Sequence, residues 1–192
     1  HLREYTQIII READRLRDLV DRLLGSRQQL TLQEMNVHEV LEHLRKLLLA
    51  ETGNEVTIIR DYDPSIPYFP GDRAQLIQAV LNIMRNALQA AARPQECALT
   101  IRTRSQRQFT IGTTRHRLVC RVDISDNGPG IPESLMQAIF VPMVSGRADG
   151  TGLGLAISQS IINLHGGLLQ CESTTGKTTF TIYLPMELKH AQ

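Results

Sequence analysis

Apolar and polar positions along the chain fall into stretches of two different periods. Residues 1–24, HLREYTQIIIREADRLRDLVDRLL, carry Leu2, Tyr5, Ile9, Leu16, Leu19 and Leu23 on a heptad-like seam interrupted at Glu12. That seam predicts an amphipathic helix in need of a partner. Gly25 and Ser26 stop it, and the polar stretch up to Asn36 reads as a linker. Val37, Leu41, Leu44 and Leu48 recur at helical spacing and predict a helix over 37–50. EVTIIRDYD, residues 55–63, then reads as a strand, and Pro64, Pro67 and Pro70 enforce an extended loop. Asp72 stands at an N-cap position before RAQLIQAVLNIMRNALQAAA, where Leu76, Val80, Ile83 and Ala87 form a core stripe.

From residue 98 the dominant period becomes two. Strands are predicted over 98–107 and 117–126, joined by a loop containing IGTTRH. An irregular segment runs to Gly150, a helix follows over Thr151 to His165, and GGLLQCES and TTFTIYLP close the chain as a strand pair. Successive strand side chains point to opposite faces, so Leu118, Cys120, Val122, Ile124 and Asp126 share one face, and Arg117, Arg121 and Asp123 the other. Asp126 therefore points to the core side, where an unpaired charge is costly and an amino-bearing ligand would supply a partner. Arg102, Arg104, Arg117 and Arg121 alternate with apolar residues, which describes the solvated face of a sheet rather than a nucleic-acid patch.

Composition narrows the class. With 192 residues, 42% of them hydrophobic, the chain can bury one full-sized core plus an appendage. Its 21 Lys and Arg against 20 Asp and Glu give no bulk charge for a nucleic-acid or acidic partner. Cys97, Cys120 and Cys171 show no metal or redox spacing and read as reduced thiols of a cytoplasmic protein. No apolar run approaches ~18 residues and no charged-then-apolar leader opens the chain, so neither a membrane span nor a signal peptide is expected.

Four pieces carry candidate chemistry. NIMRNALQA sets Asn82 and Asn86 one helical turn apart, off the core stripe, where two amides suit Mg²⁺ and phosphate oxygens. DNGPG follows Asp126 with Gly128 and Gly130, residues that let a backbone approach a ligand closely. FVPMVSGRADGTGLGL, residues 140–155, leads through Gly146, Gly150, Gly152 and Gly154 to a helix N-terminus, an arrangement that binds phosphate. In GKTTFTIYLP, Thr178 has the parity of Phe180, Ile182 and Leu184 and faces the same side as Asp126. Taken singly, each has a plain explanation: a solvated helix face, a polar turn, a glycine-rich loop, a residue of high β propensity.

Together and in this order, the four resemble the N, G1, F/G2 and final boxes of the GHKL ATP-binding superfamily, in its histidine-kinase branch. EYTQIIIREADRLRDLVDRLLG, IRDYDPSIP, VLNIMRNALQA and PMVSGRADGTGLGLAIS extend the resemblance to the NtrB family of nitrogen-regulation sensor kinases, over essentially the whole chain. The resemblance implies an α+β fold: a two-layer α/β sandwich, a mixed sheet backed by three helices, with an N-terminal amphipathic helix. It divides the chain into the second helix of a dimerisation hairpin (1–25), a linker (26–36) and a catalytic and ATP-binding domain (37–190). It implies ATP and Mg²⁺ as cofactors. Asp126 would accept the adenine amine, Gly128 and Gly130 would let the base lie against the backbone, and Thr178 would support the adenine edge through a water. Asn86 would hold Mg²⁺, with Asn82 ordering the phosphate side. Residues 140–152 would be the ATP lid, with Phe140 on its hinge side and Gly150, Thr151, Gly152, Leu153 and Gly154 against the nucleotide. Arg85 and Arg147 are candidates for phosphate charge, since Gln89 stands where many members carry a lysine.

Such kinases phosphorylate a histidine in an HExxNP box on the first helix of the hairpin, and His1, His38, His43, His116, His165 and His190 all lack that context. The resemblance therefore places the acceptor outside these residues. The implied partners are the acceptor-histidine hairpin of the full-length homodimer, the response regulator NtrC, whose aspartate receives the phosphoryl group, and the P-II signalling protein, with no nucleic acid and no membrane. An ATPase of the gyrase, Hsp90 or MutL type would carry a glutamate general base where Asn82 stands. A third alternative is a nucleotide-gated interaction module in which ATP only orders the lid.

Overall fold

The computed structural model describes residues 29–144 and 151–187. The helix expected over 1–24, together with Arg147 and Gly150, lies outside the described residues. In chain order the elements are β1 (Gln33–Met35), α1 (Val37–Glu51), β2 (Thr57–Asp61), β3 (Phe69–Gly71), α2 (Arg73–Ala90), β4 (Ala98–Ile111), β5 (Thr114–Asp126), the one-turn α3 (Glu133–Met136), α4 (Gly154–Leu164), β6 (Leu168–Thr174) and β7 (Lys177–Pro185).

The helices begin where their caps dictate. Asn36 Oδ1 accepts the His38 N–H at 2.9 Å and starts α1. Asp72 Oδ1 accepts the Gln75 N–H at 3.1 Å and starts α2. α1 buries Val37, Val40, Leu41, Leu44 and Leu48, and α2 buries Leu76, Ala79, Val80, Ile83, Met84 and Ala87. Both stripes, with Ile157, Ile161 and Ile162 of α4, pack on one face of a five-stranded sheet ordered β2-β4-β5-β7-β6. β2 runs parallel to β4 and the other neighbours are antiparallel, so the sheet is mixed and the architecture is the expected two-layer sandwich. Leu99, Ile101, Cys120, Val122, Ile124, Phe180, Ile182 and Leu184 supply the sheet side of the core.

Three local expectations change. Residues 33–35, inside the stretch read as linker, form β1 and pair antiparallel with β3, which lies in the stretch read as a proline-enforced loop. Pro70 is tolerated because this two-stranded ribbon is all edge and needs no donor from it. Met35 and Phe69, directly paired, are both buried, and that burial makes the ribbon. The loop expected around IGTTRH is instead strand on both sides of a two-residue turn at Gly112–Thr113, with Gly112 at φ +59°. Phe109 stacks on Tyr183 with ring centroids 4.2 Å apart, which extends the pairing past residue 107. α4 starts at Gly154 rather than Thr151, because Gly152 at φ +66° is incompatible with a helix.

α2 and α4 run antiparallel and are joined by three polar contacts. At one end the Asp72 N–H donates to His165 Nε2 at 3.0 Å, while His165 Nδ1–H donates to the Ile161 carbonyl at 2.8 Å. In the middle, Ser158 Oγ–H donates to the Ala79 carbonyl at 2.7 Å. At the far end, Asn82 Nδ2 donates to the Gly154 carbonyl at 3.2 Å. The two bonds of His165 demand the neutral imidazole protonated on Nδ1. Burial pushes its pKa below the ordinary 6.5, against the opposing pull of the Ile161 carbonyl and the Asp72 carboxylate. A histidine with a depressed folded pKa lends stability that is present above 6.5 and is lost as pH falls below that value. His38, also depressed by burial despite Asp63 and Glu42, adds with the same sign. Thermal unfolding followed from pH 8 to 5 should show the melting temperature falling below about pH 6.5. His165→Gln should cost about 1–3 kcal/mol at pH 7.5 by leaving the Asp72 amide without its acceptor, and should flatten that fall.

Candidate functional site

The site forms where β5 and β6 end and β7 begins, beside the last turns of α2 and the start of α4. Asp126, the last residue of β5, is directly paired with Thr178 of β7, and Thr178 with Ser173 of β6. One register row therefore carries a carboxylate and two hydroxyls on the core-facing side, with Asp126 8% and Thr178 4% exposed. Asp126 Oδ1 accepts the Gly128 N–H at 2.8 Å, a bond from the carboxylate to its own loop. Gly128 is confined as well: a Cβ there would stand 2.7 Å from Asp126 Oδ1 and 3.2 Å from the Cβ of Ala90 at the end of α2. Gly130, at φ +91°, has its missing Cβ aimed 2.6 Å from the Thr174 carbonyl oxygen. No side chain fits at either glycine, so the loop lies flush against α2 on one side and β6 on the other.

Asn127, between them, was not singled out from the sequence. Its Oδ1 accepts the Ala98 N–H at 2.8 Å and its Nδ2 donates to the Glu96 carbonyl at 2.9 Å, which nails the loop to the start of β4. Ser173 was missed too: it accepts the Ile131 N–H at 2.8 Å and lies 2.7 Å from Thr178 Oγ1. The signal for Ser173 was its parity with Leu169 and Cys171, which puts it on the inner face of β6.

On the helix side, Asn82 and Asn86 are half-buried one turn apart on α2. Asn82 holds the Gly154 carbonyl and so fixes the first turn of α4 against α2. No side chain caps that turn among the described residues, so its N–H groups lack a side-chain acceptor. Gly152 closes the base of the preceding loop by accepting the Met143 N–H at 3.0 Å, and a Cβ on Gly152 would collide with Met143 and Val144 backbone at 2.7 Å. Leu153 N–H reaches Thr151 Oγ1 at 3.4 Å. Phe140 meets Phe180 of β7 edge to face, with centroids 6.4 Å apart. Arg85 is oriented elsewhere. One residue before Asn86 it is turned about 100° around the helix, and its guanidinium pairs with Glu51 of α1 at 2.6 Å.

The electrostatics of the floor favour a cationic or amine-bearing guest. Burial, reinforced by the charges of Asp126 and Glu172, pushes the Cys171 thiol up to about 12, and burial with Asp126 raises Cys97. Both stay protonated thiols at neutral pH. Among the described residues no three His, Cys, Asp or Glu side chains gather in one place. A cation beside Asn86 would thus depend on amide, water and ligand oxygens, as Mg²⁺ does. A buried carboxylate, two glycines that bring backbone into contact range, and a helix N-terminus with no side-chain cap among the described residues together fit a purine nucleotide's amine edge, ring face and phosphates.

Residues 71–188 match the family described as histidine kinase-, DNA gyrase B-, and HSP90-like ATPase. The chain is 51% identical over 185 residues to the sensory histidine kinase/phosphatase NtrB of Vibrio alginolyticus, covering 96% of this chain and 53% of that protein. It is 34% identical over 189 residues to the protein of the same name from Rhizobium leguminosarum bv. phaseoli, covering 95% and 49%. The chain thus spans about half the length of the curated relatives it matches. The nucleotide-free catalytic domain of the histidine kinase ThkA superposes with a TM-score of 0.69 at 24% identity, over 82% of this chain and 97% of that one, a likeness of fold. By the family match over 71–188, this chain belongs to the histidine kinase-, DNA gyrase B-, and HSP90-like ATPases.

Proposed function

We propose that this chain is the catalytic and ATP-binding part of a two-component sensor histidine kinase of nitrogen regulation. It would pass the γ-phosphoryl group of Mg-ATP to a histidine on a dimerisation hairpin of the full-length homodimer, and from there to an aspartate of the response regulator NtrC. The observation that carries this reading is a buried carboxylate, Asp126, facing a helix whose residue at the general-base position is an amide, Asn82. An amide has no basic lone pair at neutral pH and this one donates to the Gly154 carbonyl, so it does not activate water. That separates the reading from a gyrase-like or Hsp90-like hydrolase. The relatives named sensory histidine kinase/phosphatase support it further.

When bound, Mg-ATP supplies the phosphoryl group and its metal neutralises charge on the phosphates. Asp126 binds the adenine amine, and Gly128 and Gly130 hold the backbone against the ring. Thr178 supports the ring edge through a water. Asn86 offers its amide oxygen to Mg²⁺, Asn82 keeps the start of α4 in place, and Thr151, Gly152, Leu153 and Gly154 present N–H groups to the phosphates, a task that Gly150 and Arg147 share in this reading. Phe140 braces the hinge side of the lid. Positioning and charge neutralisation are the whole task, because the nucleophile arrives on another segment. The P-II protein would set the balance between kinase and phosphatase output. No helix among the described residues is long and apolar enough to cross a membrane.

The test mixes this chain with γ-labelled Mg-ATP and a separate hairpin carrying the acceptor histidine. Label should appear on that histidine; nucleotide binding without transfer would favour the nucleotide-gated module instead. Asp126→Asn should weaken ATP binding by about 100-fold through loss of a charge-assisted hydrogen bond, with the melting temperature little changed. Asn86→Ala should bind ATP equally well with Mg²⁺ or with EDTA present, whereas the parent chain should bind better with Mg²⁺.

A further inference from the structure

The near-zero net charge of the chain hides a local excess. From Ala98 to Val122 the β4–β5 hairpin carries Arg102, Arg104, Arg107, Arg115, Arg117 and Arg121 and no acidic residue. At its root these cations are neutralised: Arg102 and Arg104 share Asp61 at 2.8 Å, and Arg121 Nε donates to Asp123 at 2.9 Å. At its tip they are not. Arg107 and Arg115 have no carboxylate partner among the described residues, and Arg117, its side chain 84% exposed, meets Glu187 only at 3.6 Å. Pairing with β2 ends at Arg102 and pairing with β7 at Val119, so the hairpin tip is a two-stranded arm with no strand beside it. Such a ribbon is marginal in water by itself. Two contacts hold this one. Phe109 stacks on Tyr183, whose ring centroid also lies 5.9 Å from the Arg121 guanidinium carbon. Gln108, a non-glycine residue at φ +53°, accepts the Arg115 Nε–H on its Oε1 at 2.9 Å. Positive φ is uncommon outside glycine, and here it places an amide that orients the guanidinium without cancelling its charge. The four Nη–H donors of Arg115, which nothing takes among the described residues, remain a planar fork suited to a carboxylate.

Tyr183 joins this arm to a trough of about 450 Å³ on the face of the sheet away from the helices, lined also by Thr100, Arg102, Arg121, Glu172 and Lys177. Asp123 in its floor is 8% exposed and already engaged by Arg121 and by the Thr181 hydroxyl at 2.8 Å. The charge the trough shows to solvent is therefore that of Arg102, Arg121 and Lys177 against Glu172 alone. We infer that the trough and the arm at its end form a docking surface for an extended, carboxylate-rich segment of a partner protein. Four strands about 4.8 Å apart make the trough about 14 Å wide, the reach of roughly four or five extended residues. A protein segment suits it better than other polyanions. Its side chains vary along the chain, so carboxylates meet the three cations while a neutral residue passes Glu172, whereas a phosphate chain brings negative charge to Glu172 as well. A recessed floor likewise gives a flat anionic bilayer little contact. Asp126 and Thr178 face the opposite side of the sheet, so a partner docked here leaves the candidate site open.

The probe is a labelled peptide of about ten residues alternating glutamate and serine, titrated against this chain beside its glutamine counterpart, a short DNA duplex and vesicles containing phosphatidylserine. The glutamate peptide should bind about 10-fold tighter than the glutamine peptide, and the difference should shrink as salt is raised toward ~0.5 M. Arg115→Glu combined with Arg117→Glu should weaken it about 10-fold, and so should Thr100→Trp, which fills the trough at unchanged charge. Arg115→Lys, which keeps the charge but not the fork, and Gln108→Ala, which frees the guanidinium, should each cost about 3-fold. Melting temperature and ATP affinity should match the parent in every variant; should Thr100→Trp fail to fold, Thr174→Trp blocks the other end of the trough. Peptide binding that survives either the double reversal or the block overturns the inference, as does a parent chain that does not distinguish glutamate from glutamine. A duplex or vesicle that binds more tightly than the glutamate peptide, and loses that binding with the double reversal, overturns it in favour of that other class of partner.

Discussion

The antiparallel contact of α2 with α4 is the constraint on which the site depends. His165 to Asp72, Ser158 to Ala79 and Asn82 to Gly154 join the helices at intervals of about two turns and then one. All three bonds end on backbone, so they fix the axial register of the two helices in a way that apolar packing alone would not. The last contact holds the first residue of α4 level with Asn82. Everything beyond it on α2, Asn86 first, therefore overhangs the start of α4, and the cleft is the space this overhang leaves above the ends of β5 and β7. Asp72 extends the same register outward, because its Oδ2 also accepts the Thr31 N–H at 3.0 Å and its Oδ1 caps α2. Burial alone would raise the Asp72 pKa, but these amide donors outweigh it and hold the carboxyl below its ordinary range.

Much of this was legible in the chain because the relevant signals are local. The Asp72 cap, the stripes of α1 and α2, and the shared face of Asp126 and Thr178 follow from periods of 3.6 and 2 that no distant residue can change. What was hidden depended on partners far away in sequence. Gln33–Met35 reads as linker until Phe69–Gly71 arrives to pair with it, and Pro70 reads as a loop former until that ribbon is seen to lack a second neighbour. The turn at Gly112–Thr113 is tighter than its composition suggests because Tyr183 gives Phe109 a surface to stack on. His165 looked ordinary, yet its two ring nitrogens connect α4 to the cap of α2. Arg85 was a candidate for phosphate charge because Gln89 stands where many members carry a lysine, but its guanidinium pairs with Glu51.

The candidate site also shows how little side-chain chemistry it requires. Its polar row is one residue wide on each of three adjacent strands, Asp126, Thr178 and Ser173, and the rest is backbone exposed by glycine. Removing any Cβ penalty at Gly128 and Gly130 matters more than adding a functional group. A flat, backbone-walled floor suits a planar ring, while the first turn of α4, with no side-chain cap among the described residues, supplies partial positive charge without a cation.

The crossover between β2 and β4 has a consequence for folding. α2 lies between these parallel strands in sequence, so the helix bearing Asn82 and Asn86 belongs to a β–α–β unit built early in the chain. Asp126, Thr178 and Ser173 belong to three neighbouring antiparallel strands of the same sheet, of which β5 and β7 pair across a longer stretch of chain and β6 and β7 as a hairpin. The cleft thus lies between a helix of that unit and strands that come later in the chain. A molecule that touches both sides binds only when helix and strands are packed together, and by linkage it adds its binding free energy to that packing. Whatever occupies the cleft is, in thermodynamic terms, a third element of the fold.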